Sequence, residues 1–160
     1  CTAGLGIDNP IAQYEKEFDD YNVILLKAVA DRLAEALTEF MHERIRKEIW
    51  GYSKNEKYTN DELIEERYIG IRPAPGYTAC PDHTEKLKIF KLLNAEKNIG
   101  VSLTESMAMT PNSSVSGYYF SHPMSKYFTV GKVQDDQIAD YAKRKNMSIN
   151  EVERWLRSNI

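Results

Sequence analysis

Cysteine is nearly missing from this chain: two in 160 residues, Cys1 and Cys80. One of them stands at the chain end, so a disulfide-stapled scaffold is excluded and a reducing, cytoplasmic setting is expected. Long apolar runs are missing too. No stretch approaches the roughly 18 residues of a membrane span, and no signal-peptide pattern is present. Charge of one sign is not concentrated anywhere, and 21 Lys and Arg against 24 Asp and Glu leave a formal net charge of -3. That balance argues against nucleic acid or an anionic membrane as the main partner. Neither a G-x-G-x-x-G run nor a P-loop occurs, and no nucleophile–base pair can be named. The histidines His42, His83 and His122 have no metal-ligand spacing with one another or with the cysteines.

What is there reads as one ordinary globular domain over residues 1–160, with 42% hydrophobic and 28% charged residues. The first residue is Cys and not Met, which suggests a fragment or a processed chain. Val23, Leu26, Val29, Leu33, Leu37, Phe40 and Met41 recur at spacings of three and four. This predicts a helix from Asp20 to about Trp50, with these residues as its core stripe. At about 45 Å it is long enough to act as a spine for other layers. A short helix from Pro10 to Phe18 is expected before it, with Pro at its first position.

Further helices are marked by their caps. Thr59 with Glu62 and Ser148 with Glu151 are capping boxes. Asp82 with Glu85 opens another helix, whose buried stripe is expected to be Leu87, Phe90 and Leu93. Asp135 or Asp136 caps a helix running to about Lys145. Between them, residues 101–133 are rich in β-branched and aromatic residues. They predict two or three antiparallel strands, the last pair joined across "SHPMSK". Tyr118, Tyr119 and Tyr127 are expected to be half-buried there. The class is α+β: a long spine helix and shorter helices packed on a twisted antiparallel sheet.

The segment "GIRPAPGYTACPDHTEK", residues 70–86, is the chain's least ordinary stretch. Ala74-Pro75-Gly76-Tyr77 fits a type II turn, with Pro at the first central position and Gly supplying positive φ at the second. Pro73 and Pro75 force extended geometry on Arg72 and Ala74 and remove two backbone donors, so the segment cannot be a central strand. Arg72 is held at the entrance of a stiff turn. Its planar fork suits a carboxylate or phosphate, and Gly76 allows close approach to the backbone. The competing reading is a plain turn with a solvated arginine. From the residues alone the chain is an α+β domain whose candidate ligand, near Arg72, is small and anionic or zwitterionic.

That segment, together with "DDYNVILLKAVADRLAEALTEFMHERIRKEIWGY", "SVSGYYFSHPMSKYFTVGKV" and "YAKRKNMSINEVERWL", resembles the activation domain of cobalamin-dependent methionine synthase, in its C-terminal portion. The likeness runs from about Asp19 to Leu156. It departs from the family pattern at Thr78 (proline expected), at "MTPNSS" (a Trp-Pro-Gly run expected) and at Phe128 (tyrosine expected).

The resemblance implies an α+β fold and a domain that binds S-adenosylmethionine. That role supports reductive methylation of inactive cob(II)alamin, with cobalamin bound on a separate domain of the same enzyme. A flavodoxin or a flavoprotein reductase would supply the electron. The family's R-x-x-x-G-Y motif maps onto Arg72, Gly76 and Tyr77. Ala74, Glu35, Tyr127 and Phe128 are the other implied ligand contacts, with Arg72 on the methionyl carboxylate and Glu35 near the cationic groups. Asp31 is implied to face the cobalamin domain. An upstream acidic residue of the family has no counterpart here, so the chain is expected to bind S-adenosylmethionine poorly or only as part of a longer polypeptide. With the methyl acceptor on another domain, it is expected to lack a complete active site of its own. Two other classes stay open: an interaction module that docks a cobalamin domain or flavodoxin without binding S-adenosylmethionine, and a stand-alone methyltransferase acting on a corrinoid partner.

Overall fold

The computed structural model describes residues 1–160. Helix α1 (Asp8–Lys16) precedes the long α2 (Asp20–Arg44), which continues through a π-helical turn, Ile45–Ile49. Helices α3 (Asn60–Ile64), α4 (Glu85–Leu93) and α5 (Ala95–Ile99) follow, then strands β1 (Ser102–Leu103) and β2 (Met109–Thr110), and finally α6 (Asp135–Lys145) and α7 (Ile149–Trp155). This is the α+β class expected.

Local sequence accounts for most helix starts. Asp19 caps α2 by accepting from the Asn22 amide at 3.0 Å. Both predicted capping boxes form, at Thr59–Glu62 and Ser148–Glu151. Three starts differ from expectation. α4 begins at Glu85 after Thr84, which makes no side-chain cap bond, and Asp82 accepts from the Thr84 amide at 2.7 Å ahead of the helix without capping it. Pro10 is the third residue of α1, not the first, still within the turn whose amides have no intrahelical acceptor. The cap of α6 is Gln134, in a box with Gln137, so Asp135 and Asp136 fall in the first turn, where their charge suits the helix dipole.

Of the expected core stripe of α2, only Val23 is buried, with Leu26 and Met41 half-buried. Val23, Ala30, Ala34 and His42 are buried, whereas Val29, Leu33 and Phe40 are 46%, 56% and 54% exposed and Leu37 is also exposed. The helix is apolar on two adjoining faces. The face with small Ala30 and Ala34 lets neighbouring chain approach closely; the bulkier stripe faces outward. The stripe of α4 is likewise shifted by one residue: Lys86 and Ile89 are buried, with Phe90 half-buried, while Leu87 and Leu93 are exposed.

The sheet is smaller than expected. β1 and β2 form a short antiparallel hairpin, Ser102 opposite Thr110, but the pair predicted across "SHPMSK" does not form. Residues 113–120 spend their amides elsewhere. Thr2 bridges Ser114 and Ile71 bridges Phe120, both antiparallel, and the Tyr118 amide donates to the Pro73 carbonyl at 3.0 Å. Gly117 lies so close to that carbonyl that a Cβ would stand 2.8 Å from it, which no larger residue could occupy unshifted.

Buried apolar contact concentrates at the C-terminal end, where α6 and α7 enclose Ile138, Ala142, Val152 and Leu156. A polar cluster joins this pair to the start of α4. Asp82 accepts from the Tyr141 hydroxyl at 2.7 Å and pairs with Lys145 at 3.1 Å, and Lys145 also contacts Glu85. Burial alone would raise the Asp82 pKa; the hydrogen bonds from Tyr141, Thr84 and Lys145 outweigh it and hold the carboxyl below its usual value. The chain exposes 11194 Å², against about 8,200 Å² expected for a compact monomer of 18.4 kDa. No helix is long and apolar enough to cross a membrane.

Candidate functional site

The turn forms as its residues dictate. The Tyr77 amide donates to the Ala74 carbonyl at 3.3 Å, and Gly76 has φ +97°. A side chain at Gly76 would be strained, and its Cβ would meet the His83 ring at 2.2 Å. The imidazole therefore covers one side of this glycine. Pro73, before the turn, and Pro75, within it, are buried, and the Val130 amide donates to the Thr78 carbonyl at 3.0 Å, which ties the late segment to it.

Arg72 is fixed from four directions. Its backbone amide donates to the Tyr127 hydroxyl at 3.0 Å. Nη1 donates to Tyr68 Oη at 2.6 Å and to His42 Nδ1 at 3.2 Å, and Nη2 pairs with Glu39, an exposed residue of α2. These bonds use both Nη1 hydrogens and one on Nη2. Nε–H and the second Nη2 hydrogen remain, and both are donors suited to an incoming anion.

A buried pair supports this arrangement from below. Arg46, in the π-helical turn, donates from Nε to both Glu56 oxygens at 2.9 Å, and its Nη2 lies 2.8 Å from Oε1. The two side chains are 1% and 3% exposed. The Arg46 guanidinium also stacks on the Tyr68 ring, 4.1 Å from the centroid. Tyr68 thus has Arg46 on its face and Arg72 at its hydroxyl, which couples the end of α2 to the turn.

A cavity of about 990 Å³ opens beside Arg72. Glu35, Arg72, Ala74, Gly76, Tyr77 and Tyr127 all line it, as do Tyr118 and Tyr119. Six of the seven residues expected at the ligand are therefore brought together. Phe128 stands outside the lining, 57% exposed. Asp31 is also outside it; its carboxylate accepts from the Ser113 hydroxyl at 2.7 Å. Volume and lining suit a small molecule with both flat and charged parts.

A sequence profile described as the vitamin B12 dependent methionine synthase activation domain matches residues 1–146. The chain belongs to that family. The resemblance carried by the four sequence strings is thereby borne out. A solved structure, the crystal structure of the MetH reactivation domain bound to AdoHcy, is 59% identical, with a TM-score of 0.93 over 96% of this chain. The chain covers 47% of that structure's chain, so it spans about half the length of the structure it matches.

Within this activation domain, sequence reasoning missed the residues that hold Arg72. The sequence marks His42 only as a histidine without metal-ligand spacing, and it does not single out Tyr68, Glu39, Arg46 or Glu56. One signal was available for two of them. His42 and Arg46 stand four residues apart, so they share a face at the end of α2 and its extension, and both are buried. Polar residues on a buried face need partners.

Proposed function

We propose that this chain is the C-terminal portion of a methionine synthase activation domain and carries the S-adenosylmethionine contacts of that domain. The observation that carries this reading is the Arg72 fork. Two of its donors remain, at the edge of a cavity that Glu35, the Ala74–Tyr77 turn and Tyr127 also line. The residue types suit the ligand. Its methionyl carboxylate takes the remaining Arg72 donors, its cationic ammonium and sulfonium face the Glu35 carboxylate, and its adenosine lies against the turn and tyrosine rings. The AdoHcy held by the similar MetH reactivation domain is the demethylated product of the same ligand.

S-adenosylmethionine supplies a methyl group when bound. In the reaction this domain serves, one electron and that methyl convert cob(II)alamin to methylcobalamin, releasing S-adenosylhomocysteine. The chain's own residues bind and orient the donor. The acceptor is bound by a separate cobalamin-binding domain of the same enzyme, a flavodoxin or flavoprotein reductase supplies the electron, and the setting is cytoplasmic. The chain by itself holds no complete active site. The exposed stripe of α2 and the surface in excess of a compact monomer support a unit that packs against further parts of the activation domain.

Calorimetric titration with S-adenosylmethionine and with S-adenosylhomocysteine tests the reading, on this chain and on a longer activation domain that contains it. Binding by either is expected. Absence of binding by both would leave a protein-docking role as the better account.

A further inference from the structure

His42 has no exposed surface, yet it is polar and lies on the spine helix next to two guanidiniums. Its Nδ1 is 3.2 Å from Arg72 Nη1. Arginine can only donate, so Nδ1 must carry a bare lone pair and the ring proton must sit on Nε2. Nε2 faces the Tyr52 hydroxyl at 3.4 Å. The ring is held edge-on by Tyr68 and tilted against Tyr119, each with centroids 5.0 Å apart.

We infer that His42 is a positioning residue for ligand binding: its neutral imidazole fixes the Arg72 guanidinium so that the Nε–Nη2 edge is left for the ligand's carboxylate. This rests on the S-adenosylmethionine reading above and deepens it. The choice of residue follows from charge. A carboxylate at this buried position would orient the guanidinium equally well but would add a second negative charge to the one Glu39 already brings, and a fork flanked by two carboxylates attracts an anionic ligand less. An apolar residue would leave a Nη1 hydrogen buried without an acceptor. An imidazole supplies an acceptor and no charge. It stays neutral because protonation would place a third cation between Arg46 and Arg72 in a site closed to water. The groups facing it are those two cations and the hydroxyls or rings of Tyr52, Tyr68 and Tyr119.

The test compares two ligands on the chain and on the longer activation domain. S-adenosylhomocysteine carries the amino-acid carboxylate; 5′-methylthioadenosine keeps the adenosine and thioether and lacks it. His42→Leu is expected to weaken S-adenosylhomocysteine about tenfold or more while changing 5′-methylthioadenosine by less than about twofold. His42→Asn, whose amide oxygen can replace Nδ1, should recover most of the loss. In the wild type, nitrogen NMR should show Nδ1 unprotonated. Equal weakening of both ligands, no weakening of either, or a protonated Nδ1 would overturn the positioning role while leaving the ligand reading standing. A wild type that binds neither ligand would overturn both. If His42→Leu does not fold, Tyr68→Phe removes the other Nη1 acceptor; the same ligand-selective loss is expected, and an equal loss for both ligands overturns the inference.

Discussion

The Tyr127 hydroxyl accepts a hydrogen bond from the backbone amide of Arg72 at 3.0 Å, across 55 residues of sequence. A side chain from the late aromatic segment thus supplies the acceptor for the residue that enters the proline-stiffened turn. Tyr127→Phe removes it and is expected to cost about 1 kcal/mol of stability, measured by urea unfolding, with weaker S-adenosylhomocysteine binding. Phe128→Tyr adds a hydroxyl at an exposed site outside the cavity, so affinity and stability should stay within about 0.5 kcal/mol of the wild type.

Arg72→Ala removes the fork and leaves a ligand carboxylate without its charged partner. The expected loss is about 2 kcal/mol or more in binding, roughly thirtyfold in Kd. Titration calorimetry reads it directly, and unchanged affinity would make Arg72 a bystander.

Glu56→Ala strands the Arg46 guanidinium, whose charged end has almost no access to water. Loss of one partner from such a pair costs about 3–5 kcal/mol. Denaturant unfolding should show it as a lowered midpoint, and Tyr68 and Arg72 should lose order with it.

The stability of this protein should fall on mild acidification. Burial, and then the Arg46 and Arg72 guanidiniums, push the His42 pKa down to about 3 from an ordinary value of 6.5. Below the ordinary value the unfolded chain takes up a proton that folded His42 refuses. Stability is therefore full above about pH 6.5 and drains by up to roughly 1.4 kcal/mol per pH unit as pH falls toward the folded value. His83, also lowered chiefly by burial, adds in the same direction. Asp82 and Glu85 have lowered folded pKa values, so their contribution is lost only at lower pH, below the ordinary carboxylate range. Thermal melts between pH 7 and pH 5 should therefore report the histidines, and His42→Asn should flatten the slope.

On α2, Leu33→Glu and Phe40→Glu change residues that are already solvent-exposed in this chain. Stability of the isolated chain should move by less than about 0.5 kcal/mol, and any self-association seen in light scattering should decrease. In a longer activation domain, where the stripe is expected to be covered, the same changes should destabilise strongly.

The parts of the site that were legible in advance are local ones. The turn at Ala74–Tyr77 follows from the limits proline and glycine place on φ, and the caps at Thr59 and Ser148 follow from one side chain reaching an amide three residues away. The strands were harder. "SSVSGYYFSH" has strand composition, but strand pairing depends on a partner, and here the partners are Ile71, Pro73 and Thr2, distant in sequence.

By itself the sequence determined the α+β class, the long helix, the stiff turn carrying Arg72 and membership of the activation-domain family, because these rest on periodicity, backbone restriction and uncommon local strings. Only the tertiary structure decided which face of α2 is buried, since two adjoining apolar faces satisfy the same periodicity and close approach at Ala30 and Ala34 selects one. It also decided what holds Arg72. His42, Glu39 and Tyr127 lie 30, 33 and 55 residues away, and no local pattern encodes a bond across such distances.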